Sequence, residues 1–320
     1  MQLPPQIEQA LALVQAGRAA QAVDQLVELA RQGDGPACYQ LAEWYREGDH
    51  LPRDFAAARE FYRRSAVAGI LEGMRRYLAL WVLGIGGERD WAGGLKLLEA
   101  VAAIDHRSAQ ELALVRSMAL TTEGDPQDVP AGELLCTEPH IMQFSNLLTP
   151  AECAYLAEAA APLYEPAHTF NEFTGEDFRN PVRTSDTAVF PWVGENPAVH
   201  ALNRRIAAAS GTDVLQGEPL QVLRYEPGQE YKPHIDAIPG LDNQRVWTML
   251  IYLNDGFEGG ETRFIHAELN VEARTGDAIL FRNVTAEGRP DPAVMHAGLP
   301  VRSGTKLLAS RWIRERRTTA

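Results

Sequence analysis

The sequence predicts an α + β multidomain protein in which an N-terminal α-solenoid of helix pairs precedes a strand-rich jelly roll. Three observations carry this expectation. The first third of the chain repeats against itself at an offset of 36 residues. A stretch rich in Pro, Gly and acidic residues, TTEGDPQDVPAGELLCTEP at 121–139, then interrupts the pattern. Beyond it come short apolar runs with turn residues between them. The expected organisation is a repeat domain over 1–122, a linker over 123–139 and a β-rich domain over 140–320. A chain of 320 residues is long enough to bury two such cores.

Within the repeat, the 36-residue offset brings Tyr45 over Trp81, Gly48 over Gly84, Asp54 over Asp90, Phe61 over Leu97 and Ala66 over Ala102. Small and large apolar residues recur at helical spacing, as in Leu41, Ala42 and Tyr45, then Ala58, Phe61, Tyr62 and Ala66. Gly48 and Gly84 stand where first helices end, and Asp54 and Asp90 stand where second helices need N-caps. An earlier, weaker copy places Ala22, Ala30 and Gly33 under Ala58, Ala66 and Gly69, and a last helix over 107–121 closes the stack. Residues 41–69 resemble the Sel1-like repeat, a relative of the tetratricopeptide repeat, with Gly94 and Leu98 departing from Ala58 and Tyr62 in the second copy. The resemblance implies a surface that binds protein partners. The residues themselves leave open a layer that only buttresses the second domain or joins two copies of the chain.

Thr149 and Pro150 open a helix that runs to about Ala161, and a second helix covers 197–209. Strands are expected at 219–226, 246–254, 260–266, 269–274, 277–283, 293–299 and 305–314. The polar loop 171–181 reads either as a lid over a site or as an ordinary surface loop.

The bulk properties exclude several functions. A 45% hydrophobic and 23% charged composition is that of a globular protein. A net charge of −13 argues against a generic binder of nucleic acid or anionic membrane. The one basic run, Arg311, Arg314, Arg316 and Arg317, reads as a solvated strand end and tail. Three widely spaced cysteines do not suggest a disulfide framework. The opening MQLPPQIEQALALVQAG has no basic leader before an apolar core. No apolar stretch has the length to span a bilayer. The expected location is cytoplasmic.

Chemistry enters at YEPGQEYKPHID, where His234 and Asp236 stand two apart at a strand end and can grip one metal. Such a pair is weak alone, since about 0.4 would arise by chance in a chain of this composition. A third ligand must come from elsewhere. His296 follows Asp236 by 60 residues and precedes Lys306 by 10, which puts ligand and anchor on successive strands. The competing pair His266 and Glu268 falls on a hairpin rim, and the remaining histidines lie in helices or connections. Alternation on 305–314 sets Lys306, Leu308, Ser310 and Trp312 on one face, and Leu307, Ala309, Arg311 and Ile313 on the other. A lysine among apolar neighbours either meets an anion inside the fold or snorkels outward. Tyr252 shares a face with Thr248 and Leu250. Two imidazoles and one carboxylate with open positions form the arrangement of non-haem iron(II) oxygenases.

The segments EPLQVLRYEPGQEYKPHID, LIYLNDGFEGGETRF, GDAILF and MHAGLPVRSGTKLLASRWI, with the triplet Arg183-Thr184-Ser185, resemble the 2-oxoglutarate and Fe(II)-dependent dioxygenases, and among them the prolyl 4-hydroxylase catalytic domain, over about 140–315. The resemblance implies a double-stranded β-helix, with His234, Asp236 and His296 as iron ligands and Lys306 pairing with the distal carboxylate of 2-oxoglutarate. It further implies Tyr252 and Tyr225 beside that co-substrate, Arg183 and Trp312 beside the substrate, and Fe(II), 2-oxoglutarate, O2 and supporting ascorbate as cofactors. The implied activity is hydroxylation of a protein or peptide, most of all on proline. Arg314 replaces a histidine that many members carry two places after the tryptophan. Alternatives are the same chemistry on another residue or a small molecule, or a repeat-based scaffold or oxygen sensor with little turnover.

Overall fold

The computed structural model describes residues 3–170, 177–179 and 182–318. It divides into two compact units, one holding the chain to Asp125 together with Trp192–Ala201, the other holding Pro126–Pro191 and Leu202–Thr319. Most of 171–181, the lid or surface loop of the sequence reading, lies outside the described residues.

Up to Asp125 the first unit carries, among the described residues, the helices Pro5–Gln15, Ala19–Arg31, Gly35–Glu47, Phe55–Val67, Leu71–Leu83, Trp91–Ala102 and His106–Ser117 in chain order. The caps stand where the 36-residue register put them. Asp54 accepts from the amides of Ala56 and Ala57, Asp90 accepts from Gly93, and Gly48 and Gly84 end their helices in the left-handed conformation. The weaker second copy has a packing reason. Leu98 takes the fully buried place that Tyr62 holds in the first copy. A Cβ on Gly94 would lie 2.4 Å from Val82, so this helix crosses its neighbour too closely for the alanine used at position 58.

Trp192–Ala201 joins this unit although it follows the Pro- and Gly-rich stretch in sequence. Ala198, Val199 and His200 are buried, and the His200 imidazole lies 3.2 Å from the Glu195 carboxylate. The stretch read as a linker is also partly regular, because Glu133–Cys136 pairs antiparallel with Ile141–Phe144. No helix among the described residues is long and apolar enough to cross a membrane.

The second unit is a double-sheet jelly roll. Its large sheet runs Glu133–Cys136, Ile141–Phe144, Ala278–Arg282, Arg245–Tyr252, Lys306–Arg314, Leu220–Tyr225, Asp186–Phe190, Glu165–Pro166. Its small sheet runs Leu269–Val271, Thr262–Phe264, His296–Gly298, Tyr231–His234. Leu223, Tyr225, Leu250, Tyr252, Ile279, Phe281 and Leu308 of the large sheet pack with Phe264 and Val271 of the small one. Every pairing in both sheets is antiparallel, so inward and outward residues alternate and each strand offers one face to this core.

The motif around His234 is two strands rather than one. Leu220–Tyr225 lies in the large sheet and Tyr231–His234 in the small sheet, with Pro227 and Gly228 in the turn between them. His296 and Lys306 are likewise not on successive strands. Val301–Ser303 intervenes, and the two residues belong to different sheets.

Arg311 corrects the reading of a solvated basic run. It is 2% exposed and donates to the carbonyls of Asn203, Val214 and Glu218. Its guanidinium satisfies three main-chain acceptors on the side of the strand away from Lys306. The approach is so close that a Cβ on Gly217 would meet Arg311 Nε at 2.2 Å. Gly217→Ala is therefore expected to destabilise the fold by about 1–3 kcal/mol through overpacking, read as a lower denaturation midpoint at unchanged slope in urea.

Candidate metal and anion site

His234 and His296 face each other directly across the Tyr231–His234 and His296–Gly298 pairing, with ring centroids 4.3 Å apart. Asp236 follows two residues later, which returns it to the face of His234. The carboxylate lies 3.6 Å from His234 Nε2 and 3.8 Å from His296 Nε2. Among the described residues this is the group of His, Cys, Asp or Glu side chains close enough to hold a metal ion, its ligand atoms all lying within 4.8 Å of one another.

The donor set is prepared for a cation. His234 Nδ1 donates to the Lys232 carbonyl at 2.8 Å and His296 Nδ1 to the Val294 carbonyl at 3.1 Å. Each hydrogen bond fixes the tautomer that leaves an Nε2 lone pair on the side of Asp236. Burial pushes the His234 imidazolium down to about 4, and the neighbouring His296 acts in the same direction. Burial alone would raise Asp236, but His296, His234 and the hydrogen bond from Thr248 hold its carboxyl below the ordinary range. Near neutral pH, His234 is thus uncharged and Asp236 ionised, the forms that bind metal.

Behind the ligands, Asn283 donates to Thr248 Oγ at 2.8 Å, and Thr248 donates to Asp236 Oδ2 at 2.7 Å. Thr248, Asp236 and Asn283 are all buried, so this chain aims the carboxylate in a medium of low dielectric. Tyr231 stacks on His234 with centroids 3.5 Å apart, and Phe281 sets its edge against His296 at 4.7 Å.

The same cavity, about 420 Å³ with its open mouth, reaches from this trio to Lys306. Lys306, Leu308, Ser310 and Trp312 all line it, which is the face that alternation assigned to them. Lys306 points inward rather than snorkelling. It is 2% exposed, and its ammonium donates to the Gly260 carbonyl at 2.7 Å. Among the described residues no carboxylate stands within ion-pair distance of it, the other neighbours being the rings of Tyr252 at 5.2 Å and Tyr225 at 5.6 Å. Burial pushes Lys306 down to about 8, against an upward pull from Glu261. A buried ammonium without a counter-ion is costly unless an anion joins it.

Gly260 presents its carbonyl from a backbone with φ +68, and an added Cβ would sit 3.0 Å from Val301 and 3.2 Å from Lys306 Cδ. Gly260 therefore sits directly against the Lys306 side chain.

Tyr225 and Arg183 line the cavity as well. The Arg183 guanidinium lies 5.6 Å above the Tyr231 ring. Tyr252 sets its ring 5.2 Å from the Lys306 ammonium. Its hydroxyl donates to Thr262 at 2.7 Å, and Thr262 is the side chain on the cavity wall. Thr262, Thr248 and Asn283 were not singled out in the sequence, where a threonine in a strand reads as a β-former. Alternation through Thr248, Leu250 and Tyr252 did contain a signal for the first of the hydrogen bonds to Asp236. His266 and Glu268 sit in the turn after Thr262–Phe264, away from this cavity.

Residues 220–314 match the family model of the 2OG-Fe(II) oxygenase superfamily. Prolyl 4-hydroxylase 1 of Arabidopsis thaliana is 36% identical over 206 residues, covering 58% of this chain and 73% of that protein. The crystal structure of the viral collagen prolyl hydroxylase of Paramecium Bursaria Chlorella virus-1 in complex with 2OG is 27% identical, covers 56% of this chain and 98% of the viral one, and has a TM-score of 0.44. Over other residues, a Sel1 repeat protein of Oxalobacter formigenes is 22% identical, covers 34% of this chain and 85% of that one, and has a TM-score of 0.31.

Thr248→Val removes the hydrogen bond to Asp236 with little change of shape. It is expected to weaken affinity for a divalent transition metal by about 10–100-fold, measured by anaerobic titration, with the urea midpoint as a control for folding.

Proposed function

The chain belongs to the 2-oxoglutarate and Fe(II)-dependent oxygenases of the prolyl 4-hydroxylase family, and from that premise we propose that it hydroxylates a prolyl residue of a protein or peptide. The observation that carries this reading is a single cavity with a carboxylate and two imidazoles at one end and a buried, uncompensated ammonium at the other.

His234, Asp236 and His296 are the residues that would hold iron. When bound, Fe(II) supplies the activation of O2 that couples decarboxylation of 2-oxoglutarate to succinate with insertion of oxygen into a C–H bond. Lys306 fits the distal carboxylate of 2-oxoglutarate, because a dicarboxylate joins its cation to the metal end. Tyr225 and Thr262 line that path, and Leu223, Leu250 and Leu308 keep it dry, which strengthens the ion pair. Arg183 and Trp312 remain for the substrate. Supporting this assignment, both line the same cavity. Ascorbate would act as a supporting reductant. The three cysteines are free, which suits a reducing compartment, and the cytoplasm is the proposed location. The helical unit is the proposed recruiter of the substrate protein.

A first experiment follows the visible absorption band of the anaerobic protein with Fe(II) and 2-oxoglutarate. The band is expected in the wild type and lost in Asp236→Ala and Lys306→Glu; its absence from folded, iron-loaded wild type would refute the oxygenase reading. Hydroxylation of proline-containing peptides, read as a mass gain of one oxygen, decides the substrate. A gain on another residue or on a small molecule replaces the prolyl assignment.

The titration also has a pH signature. The charged ammonium is the form that binds a carboxylate, and in the co-substrate-free protein it is present below about pH 8. Affinity for 2-oxoglutarate is therefore expected to be flat below about pH 8 and to fall by up to about tenfold per pH unit above it, since binding must then take up a proton.

A further inference from the structure

The oxygenase chemistry does not use Glu218, Arg245 or Arg314, yet the three are joined around one side chain of the cavity. Arg245 donates through Nε and Nη2 to both oxygens of Glu218, at 2.6 and 2.9 Å. Arg314 sets its Nε 2.7 Å from Glu218 Oε1 and donates Nη1 to the Asn243 carbonyl at 2.8 Å. The Arg245 guanidinium carbon lies 3.7 Å from the centroid of the Trp312 ring. The side chains of Glu218, Arg245 and Arg314 are 12%, 15% and 19% exposed, so solvent does little to screen them.

Trp312 has its own unfinished contact. Its indole Nε1 is buried with no hydrogen-bond partner among the described residues, and the residue lines the cavity. A buried N–H is rarely left unpaired without a reason. A planar guanidinium held flat on one face of the ring fixes both the plane of the indole and the direction of that N–H. The fork of Arg245 is in turn held by a bidentate carboxylate, which specifies direction as well as distance.

We propose that Glu218 is a positioning residue for substrate. It clamps Arg245 onto Trp312, with Arg314 closing the other side of the carboxylate, so that the indole N–H is held ready for a carbonyl oxygen of a peptide. The proposal rests on the hydroxylase reading for the identity of the substrate. It also gives Arg314 a task. The arginine standing two places after the tryptophan is a structural partner of Glu218 rather than a residue of the cavity wall. The triad has two cations for one carboxylate, so removing Glu218 leaves Arg245 and Arg314 in mutual repulsion and releases the stack.

Glu218→Gln keeps the shape and removes the charge; Arg314→Lys keeps the charge at Glu218. With a polyproline decapeptide as probe, Glu218→Gln is expected to raise the peptide KM about tenfold while kcat and the band with Fe(II) and 2-oxoglutarate stay as in the wild type, the mark of lost binding rather than lost chemistry. Arg314→Lys is expected to stay near the wild type. The emission component of Trp312, defined as the wild-type spectrum minus that of Trp312→Phe, is expected to shift in Glu218→Gln and to remain in Arg314→Lys. An unchanged KM, or a raised KM together with loss of the band, overturns the proposal. Should the decapeptide not be hydroxylated by the wild type, the emission component decides: no shift in Glu218→Gln overturns the clamp. Loss of the band in the wild type itself would instead refute the underlying oxygenase reading.

Discussion

The second unit is organised by a cation and a carboxylate that do not meet. Lys306 is buried on the large sheet, Asp236 is buried beside the small one, and both address the same cavity. Closing the gap with a direct ion pair would have been the cheaper way to bury two charges. Instead, among the described residues, Lys306 donates to the Gly260 carbonyl, and Asp236 meets Thr248 and the nearby imidazoles. A metal cation would complete Asp236 and its imidazoles, and a small dicarboxylate reaching from that end would bring an anion to Lys306. Apolar residues between the ends keep the local dielectric low, and desolvation is what lowers Lys306 toward neutrality. The fold therefore holds an unfavourable arrangement that co-substrate relieves.

The side of the large sheet away from the cavity is braced by main-chain acceptors. Arg311, next to Trp312 but pointing the opposite way, ties its strand to the carbonyls of Asn203, Val214 and Glu218. One strand thus carries Lys306 and Trp312 on the cavity face and a structural guanidinium on the other. The bond to the Glu218 carbonyl places the main chain of the residue whose carboxylate holds Arg245, so the back of the strand also sets the front.

What the sequence made legible follows from period. A two-residue alternation placed Lys306, Leu308, Ser310 and Trp312 on one face, and the 36-residue repeat placed Asp54 and Asp90 at helix N-termini. Spacing also separated His296 from the hairpin residues His266 and Glu268. What stayed hidden were relations between distant strands. Glu218 lies in the irregular stretch before Leu220–Tyr225, Arg245 opens one strand and Arg314 closes another, and nothing local marks them as a cluster. Arg311 was misread for a related reason: composition sees four arginines near the chain end, whereas alternation sends Arg311 to the packed side. The segment Trp192–Ala201 illustrates the same limit at the level of whole units, since chain order alone would assign it to the second.

The side chains of the cavity are also held in two different ways. The metal trio and Lys306 are fixed by hydrogen bonds to the main chain or to buried side chains, namely the carbonyls of Lys232, Val294 and Gly260 and the hydroxyl of Thr248. Such contacts depend on the fold and tolerate few substitutions. Trp312 instead meets a charged cluster of side chains behind the cavity lining, joined to one another through Glu218. Arginine in place of histidine at position 314 is a change of that second kind. Arg314 meets Glu218 and the Asn243 carbonyl and does not line the cavity, so the change lies outside the residues around Asp236 and Lys306.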